Sequence, residues 1–316
     1  MDSLKGFSFP VNLWHQGSVV RTILPQVIWC GVFSLFVDII HELNLFESWP
    51  LINMIPNILL GLLLSFRTST AYERFWEGRK CWGTVVNNVR NLSREMWVAI
   101  EEIEPNDKDA KVAAVRLLVA FAVATKMHLR YERTSSELKA LMSPERYKKL
   151  KRINNIPLEV AFWIGDYLQE QYERNCLNSY QLNAMKQLLN SMVDCLGGCE
   201  RIQKTPMPLA YALHLKQLLL VYCLFLPLQI VDQLHWLTVP MVVLVSFTLF
   251  GIEEIGNQLE NPFGKAPNDL PLDAICNTMH RNVEDLISLA PSVRDWKNPR
   301  LEHVTADLRE GLNRRQ

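Results

Sequence analysis

The 316-residue sequence predicts an all-α membrane protein, with four transmembrane helices per subunit and a helical region in water. Three observations predict this class. Charged residues make up 21% of the chain but are nearly absent from four apolar stretches. Each stretch is close to the ~20 residues that a helix needs to cross ~30 Å of hydrocarbon. Basic residues flank these stretches on one side only, and the long charged segment between the second and third lacks the apolar–polar alternation of a strand.

Residues 1–22 form an N-terminal cytosolic segment. They contain no compact apolar core followed by a small-residue cleavage site, so no signal peptide is expected. Residues 23–66 hold the first transmembrane pair, with spans near 23–40 and 51–66 joined through HELNLFESW. Residues 67–206 form a cytosolic helical region. Its helices near 112–125 and 158–171 are apolar on one side and charged on the other. Asn154, Asn155 and Pro157 mark a break between helices, and Ser143 is placed to cap the helix written PERYKKL. Residues 207–252 hold the second pair, near 207–231 and 237–252, joined through DQLHW. Residues 253–316 form a cytosolic C-terminal segment in which a turn-rich stretch precedes helical spacing over 272–289, and RDWKNPR begins a surface tail.

Neither short link contains Lys or Arg. Arg21 precedes the first span, Arg67, Arg74, Arg79 and Lys80 follow the second, Lys204 precedes the third and Lys265 follows the fourth. Positive charge collects on the cytoplasmic side, so both termini and the middle segment are expected in the cytoplasm, with Trp49 and Trp236 at the opposite interface.

Lys plus Arg and Asp plus Glu number 33 each, which argues against a nucleic-acid partner or an acidic metal store. The seven Cys have neither paired CxxC spacing nor an even count, as a disulfide framework or zinc site would. Cys195 and Cys199 are one helical turn apart but have no nearby His, and they read as packing. GxSxG, HExxH, a Walker loop and a glycine-rich dinucleotide turn are all missing, so no enzyme is expected. His214 and Lys216 fit either proton handling or snorkelling at an interface. Glu253 and Glu254 end the fourth span, where they are either functional acids or hydrated groups at the cytosolic boundary. A membrane carrier or enzyme built on Glu253, Glu254 and His214 stays an alternative, as does an interaction scaffold, although the internal repeats common in carriers are absent.

In the second span, Ile58, Leu62 and Phe66 recur every four residues and stack on one helix stripe. Periodicity alone assigns such a stripe to packing against neighbours or lipid. Pro56 adds a kink site, Gly61 a close-approach site and Asn57 a polar amide at membrane depth. Met207, between Pro206 and Pro208, reads as a helix start.

IPNILLGLLLSFRTSTAYERFWEGRKCWG resembles the second transmembrane helix and its cytosolic continuation in the bestrophin family, particularly the compact bacterial and plant-organelle members. RIQKTPMPLAYALHLKQLLLVYC and GIEEIGNQLENPFGKAPNDLPLD resemble the segments before the third span and after the fourth, in family order. The similarity spans most of residues 20–290. It implies a homopentamer around one central pore: a passive channel conducting chloride and other small anions, with monovalent-cation selectivity as the alternative. The same resemblance places the hydrophobic neck at Ile58, Leu62 and Phe66, and a cytosolic aperture at Met207. The implied partners are further copies of the chain, the lipid bilayer and small inorganic ions. A bacterial inner (plasma) membrane is expected, with a thylakoid membrane as alternative. Where animal members carry a run of acids in a calcium site, this chain has Lys265, Ala266 and Pro267. Asp269 and Asp273 remain as a remnant of that region, with Asp269 able to cap a turn, and no cofactor is expected, with calcium as the alternative.

Overall fold

The computed structural model describes residues 19–43, 45, 55–133 and 135–289. Among them the chain is helical: α1 (Val19–Glu42), α2 (Ile55–Ala99), α3 (Asp107–Leu129), α4 (Ser136–Ala140), α5 (Pro144–Leu150), α6 (Ile156–Glu173), α7 (Ser179–Lys204), α8 (Leu209–Leu234), a 3-10 turn (His235–Leu237), α9 (Thr238–Glu260) and α10 (Leu272–Leu289). The chain packs as two compact units. One takes the residues up to Lys80 with Cys199–Leu270, and the other takes Cys81–Gly198 with the residues from Pro271. Helices α2 and α7 each run from one into the other. These packing limits are a different quantity from the membrane limits expected near residues 66 and 207.

The first unit is built from α1, the first half of α2, α8 and α9. Helices of 24, 26 and 23 residues at 1.5 Å per residue give α1, α8 and α9 lengths of about 35–39 Å. Ile23, Val27, Cys30, Leu60, Leu64, Leu215, Leu219, Cys223, Val242 and Phe250 close its core. Helix α1 runs antiparallel to α9: a Cβ on Gly31 would lie 3.0 Å from Val243, and one on Gly251 would lie 3.7 Å from Ile23. Gly31 is therefore where the two backbones need a missing side chain. The outward faces remain apolar and uncovered, with Trp29, Phe36, Leu213, Leu220 and Leu244 exposed.

The second unit is organised around α3. This helix is also long and apolar enough to span a membrane, but 78% of its most apolar stretch is buried by protein, against 28% in α1 and 22% in the run Leu209–Glu260. Helix α3 packs against α6 and α10. The sequence predicts a helix with one apolar side, whereas every residue from Leu118 to Ala124 is fully buried, which takes in all faces. Its charges do not break this core because those that are buried have partners. Lys111 donates to Glu102 at 2.8 Å and to the Trp97 carbonyl at 3.1 Å. Lys126 donates to Glu137 at 2.6 Å and Asp273 at 2.9 Å, and Arg116 grips Glu284 through two bonds of 2.7 and 2.9 Å.

The punctuation residues act as the sequence predicts. Asn155 caps α6 by accepting the Leu158 N–H, and Ser143 caps α5 by accepting the Arg146 N–H. Cys195 sits beside Cys81 and Thr84, and Cys199 is buried. Trp236 is exposed at the 3-10 turn, while Trp49 and the RDWKNPR tail lie outside the described residues.

Candidate pore-lining site

Helix α2 presents two different faces. Ile58, Leu62 and Phe66 are 66%, 49% and 59% exposed, whereas Leu60, Leu64, Arg67 and Ala71 on the opposite face are buried in the first unit. The stripe is thus the side that the chain itself leaves uncovered. One expectation about its surroundings changes, while the residues that precede α2 and would show whether Pro56 kinks it lie outside the described ones. Gly61 has no neighbour from its own chain within 4 Å of the position a Cβ would take.

Immediately after the stripe, Arg67 turns inward. Its side chain is 1% exposed, and Nη1 donates to Glu253 Oε1 at 3.0 Å, with Glu253 itself 6% exposed. Nη2 donates to Asn257 Oδ1 and lies 3.9 Å from Glu260 Oε2, and Asn257 returns a 2.9 Å bond to Glu253. Arg67 is therefore a buried anchor between α2 and α9, unlike the solvated cytoplasmic charge that its position after an apolar run suggests. Glu253 is likewise buried and paired, not hydrated. His214 and Lys216 are exposed on α8, and His214 is not among the groups that hold Glu253, so the polar centre of a carrier or enzyme is not assembled.

Two turns further along α2, Arg74 caps helix ends. Its guanidinium donates to the carbonyls of Ile202 at 2.5 Å and Thr205 at 2.6 Å, at the end of α7, and to that of Glu260 at 3.4 Å, at the end of α9. A cation at helix C-termini satisfies unpaired carbonyls and complements the helix dipole. Met207 is half-buried at the start of α8, and its N–H donates to Glu260 Oε1 at 2.8 Å. Tyr211 in the first turn of α8 donates to the Leu63 carbonyl at 3.2 Å, a second tie to α2. At the other end of this unit, His41 meets Asp232 at 2.5 Å, and the His41 and His235 rings stand 6.2 Å apart.

The sequence profile of the bacterial and fungal bestrophin proteins matches residues 5–285. The chain belongs to the bestrophin family. It is 58% identical to a voltage-dependent anion channel-forming protein of Nostoc over 94% of this chain and 97% of the relative. It is 31% identical to a voltage-dependent anion channel-forming protein of Escherichia coli over 85% and 88% of the two chains. A crystal structure of a bestrophin homologue from Klebsiella pneumoniae superposes with a TM-score of 0.76 at 30% identity, covering 85% of this chain and 100% of that one. The apolar, outward-facing helices of the first unit are those of a bestrophin membrane protein, and the Nostoc and Escherichia coli relatives are named as channel-forming proteins, not enzymes.

In this bestrophin the segment after α9 folds on itself. Asp269 Oδ2 accepts the Ala266 N–H at 2.7 Å, closing a turn, and Leu270 N–H donates to the Pro262 carbonyl at 2.9 Å. A Cβ on Gly264 would meet Asp269 Oδ2 at 2.4 Å, so a side chain there would displace the carboxylate that closes the turn. Phe263 is buried against α2, where a Cβ on Gly78 would come within 3.1 Å of its ring. The sequence shows Gly78 only as a glycine in a helix; the close approach is a tertiary property. Asp273, in the second unit, is bound by Lys126 at 2.9 Å and Arg130 at 2.8 Å. Partial burial alone would raise its pKa, but these two cations outweigh that and bring it down to about 2. Burial pushes the neighbouring Cys276 thiol up to about 12. Both remnant acids are thus engaged by the chain's own groups, and among the described residues no cluster of acidic, His or Cys side chains could hold a metal ion.

Proposed function

We propose that this bestrophin is a passive anion channel that conducts chloride and other small anions through a pore lined by α2 at the centre of a homopentamer. One observation carries the reading. The stripe Ile58, Leu62 and Phe66 is apolar and uncovered, on a helix whose opposite face is fixed by the buried Arg67–Glu253 pair. Five copies would form three apolar rings, and a narrow apolar constriction gates by losing its water. Met207 would form a second ring, whose flexible side chain lets the aperture adapt. Four spans would be α1, the apolar start of α2, α8 and α9. The Lys- and Arg-free links support placing both termini and the second unit in the cytoplasm. The membrane would be a bacterial inner membrane, with a thylakoid membrane as alternative.

The names of the Nostoc and Escherichia coli relatives support conduction of anions. Monovalent-cation conduction is the second reading, because the stripe contains no charged residue to set the sign. Planar-bilayer recording of the purified chain under a potassium chloride gradient separates the two. The reversal potential is expected near the chloride equilibrium value, and a value near that of potassium overturns the anion reading. Shortening Ile58, Leu62 or Phe66 to Ala is expected to raise current several-fold. Unchanged current with all three shortened means that the stripe is not the gate.

A further inference from the structure

We infer that Glu260 couples the two constrictions, so that the neck and the aperture do not open independently. This rests on the assignment of the neck to Ile58, Leu62 and Phe66 and of the aperture to Met207. One oxygen of Glu260 accepts the Met207 N–H at 2.8 Å, and the other lies 3.9 Å from the guanidinium of Arg67, the residue directly after Phe66. One carboxylate therefore holds the main chain of the candidate aperture and faces the residue that directly follows the candidate neck.

Local chemistry makes each contact stiff. Pro206 and Pro208 have no N–H, so the Met207 amide is the sole main-chain donor among the three, and it is given to Glu260. Pro208 also restricts the Met207 backbone, so that segment moves as a piece. On the other side, Arg67 is buried, and separating a buried guanidinium from its carboxylates is strongly unfavourable. A tilt or rotation of α2 at Phe66 carries Arg67 with it, and Arg67 carries Glu253, Asn257 and Glu260 on α9. Arg74 reinforces the link from below, because its guanidinium holds the carbonyl of Glu260 and that of Thr205, two residues before Met207. Glu260 is a positioning residue in this scheme: it acts through Arg67 and the Met207 amide and touches no ion.

A double-mutant cycle tests it. The ratio of open to closed time is recorded in planar bilayers for the full chain, for Phe66→Ala, for Met207→Ala and for the double variant. None of these removes a group of the Arg67 network. The combined effect is expected to differ from the product of the single effects by at least about twofold, the lower edge of coupling seen in shared networks. In a Glu260→Gln background, which keeps an oxygen for the Met207 amide but no charge for Arg67, the combined effect is expected to return to the product. Glu260→Asp, with its carboxylate drawn back by one methylene, is expected to weaken the departure and serves where the Gln variant does not assemble. Multiplicative effects in the natural background, with each single change altering current, overturn the coupling while leaving the neck and aperture in place. A departure that persists undiminished in the Glu260 backgrounds overturns the assignment to Glu260. If neither single change alters current, the coupling and the pore assignment fall together.

Discussion

Arg67 and Glu253 lie 186 residues apart in the chain and form one buried ion pair, with Asn257 bridging them. Removing one partner of such a pair leaves the other charged and unsatisfied, whereas replacing both with apolar groups of similar size is far better tolerated. Glu253→Ala is expected to cost about 3 kcal/mol, and Arg67→Met with Glu253→Leu to recover most of that loss, as read by thermal unfolding in detergent. Equal destabilisation by the single and double changes contradicts this account. A second residue-scale expectation concerns acid. Asp273 has a lowered pKa, so its contribution is complete above the usual carboxylate value of about 4 and is lost as pH falls through about 2. Its side chain is 62% exposed, so solvent screening limits the contribution to roughly 1 kcal/mol. Asp273→Asn should therefore speed amide exchange in α10 at neutral pH, and the difference from the natural chain should shrink as pH falls through about 2. Residue roles of this kind were hard to read from the sequence, because it shows the sign of Arg67 and Asp273 but not the partner each meets.

Helices were more legible than residues. The apolar stretches near 23–40, 207–231 and 237–252 are helical, as α1, α8 and α9, and the spacing at 272–289 corresponds to α10. Asn155 and Ser143 cap where expected because a cap is a local device, visible within four residues. Helix α3 was less transparent. Its Lys and Arg residues suggested a wetted side, but Lys111 and Lys126 are ion-paired at 5% exposure, so the helix lies at the centre of its unit. Leu118→Ala in this core should cost about 2–5 kcal/mol by transfer and cavity terms. Leu35→Ala on the exposed face of α1 should change stability in detergent by less than about 1 kcal/mol. Comparable losses at both positions would show that α3 is not the more enclosed helix.

For the whole molecule, hydropathy and charge asymmetry sufficed to recognise a membrane protein, and the order of three motifs sufficed for the family. The stripe on α2 was legible as a stripe, and its exposure shows that its own chain does not cover it. What periodicity could not provide was the distinction between facing a pore, a neighbour or lipid, since all three accept apolar side chains. The polar network behind the stripe was invisible for a related reason: it joins α2, α9 and the α7–α8 junction, which are far apart in sequence.

The apolarity of α3 has a consequence for biosynthesis. As it leaves the ribosome, this 23-residue segment presents the insertion machinery with almost the signature of a membrane span, before α6 or α10 exists to enclose it. On the four-span topology proposed above, its insertion would invert every later segment. Arg116 stands within it, and an arginine near the middle of a candidate span opposes insertion by about 2.5–3.5 kcal/mol. Its partner Glu284 is 168 residues downstream, so the guanidinium stays unneutralised by that carboxylate while the choice is made. Arg116→Leu should therefore direct a fraction of nascent chains to the wrong orientation, detectable by labelling single cysteines placed after α3 from each side of the membrane. A uniform orientation in that variant would mean that early folding, not charge, keeps α3 out of the bilayer.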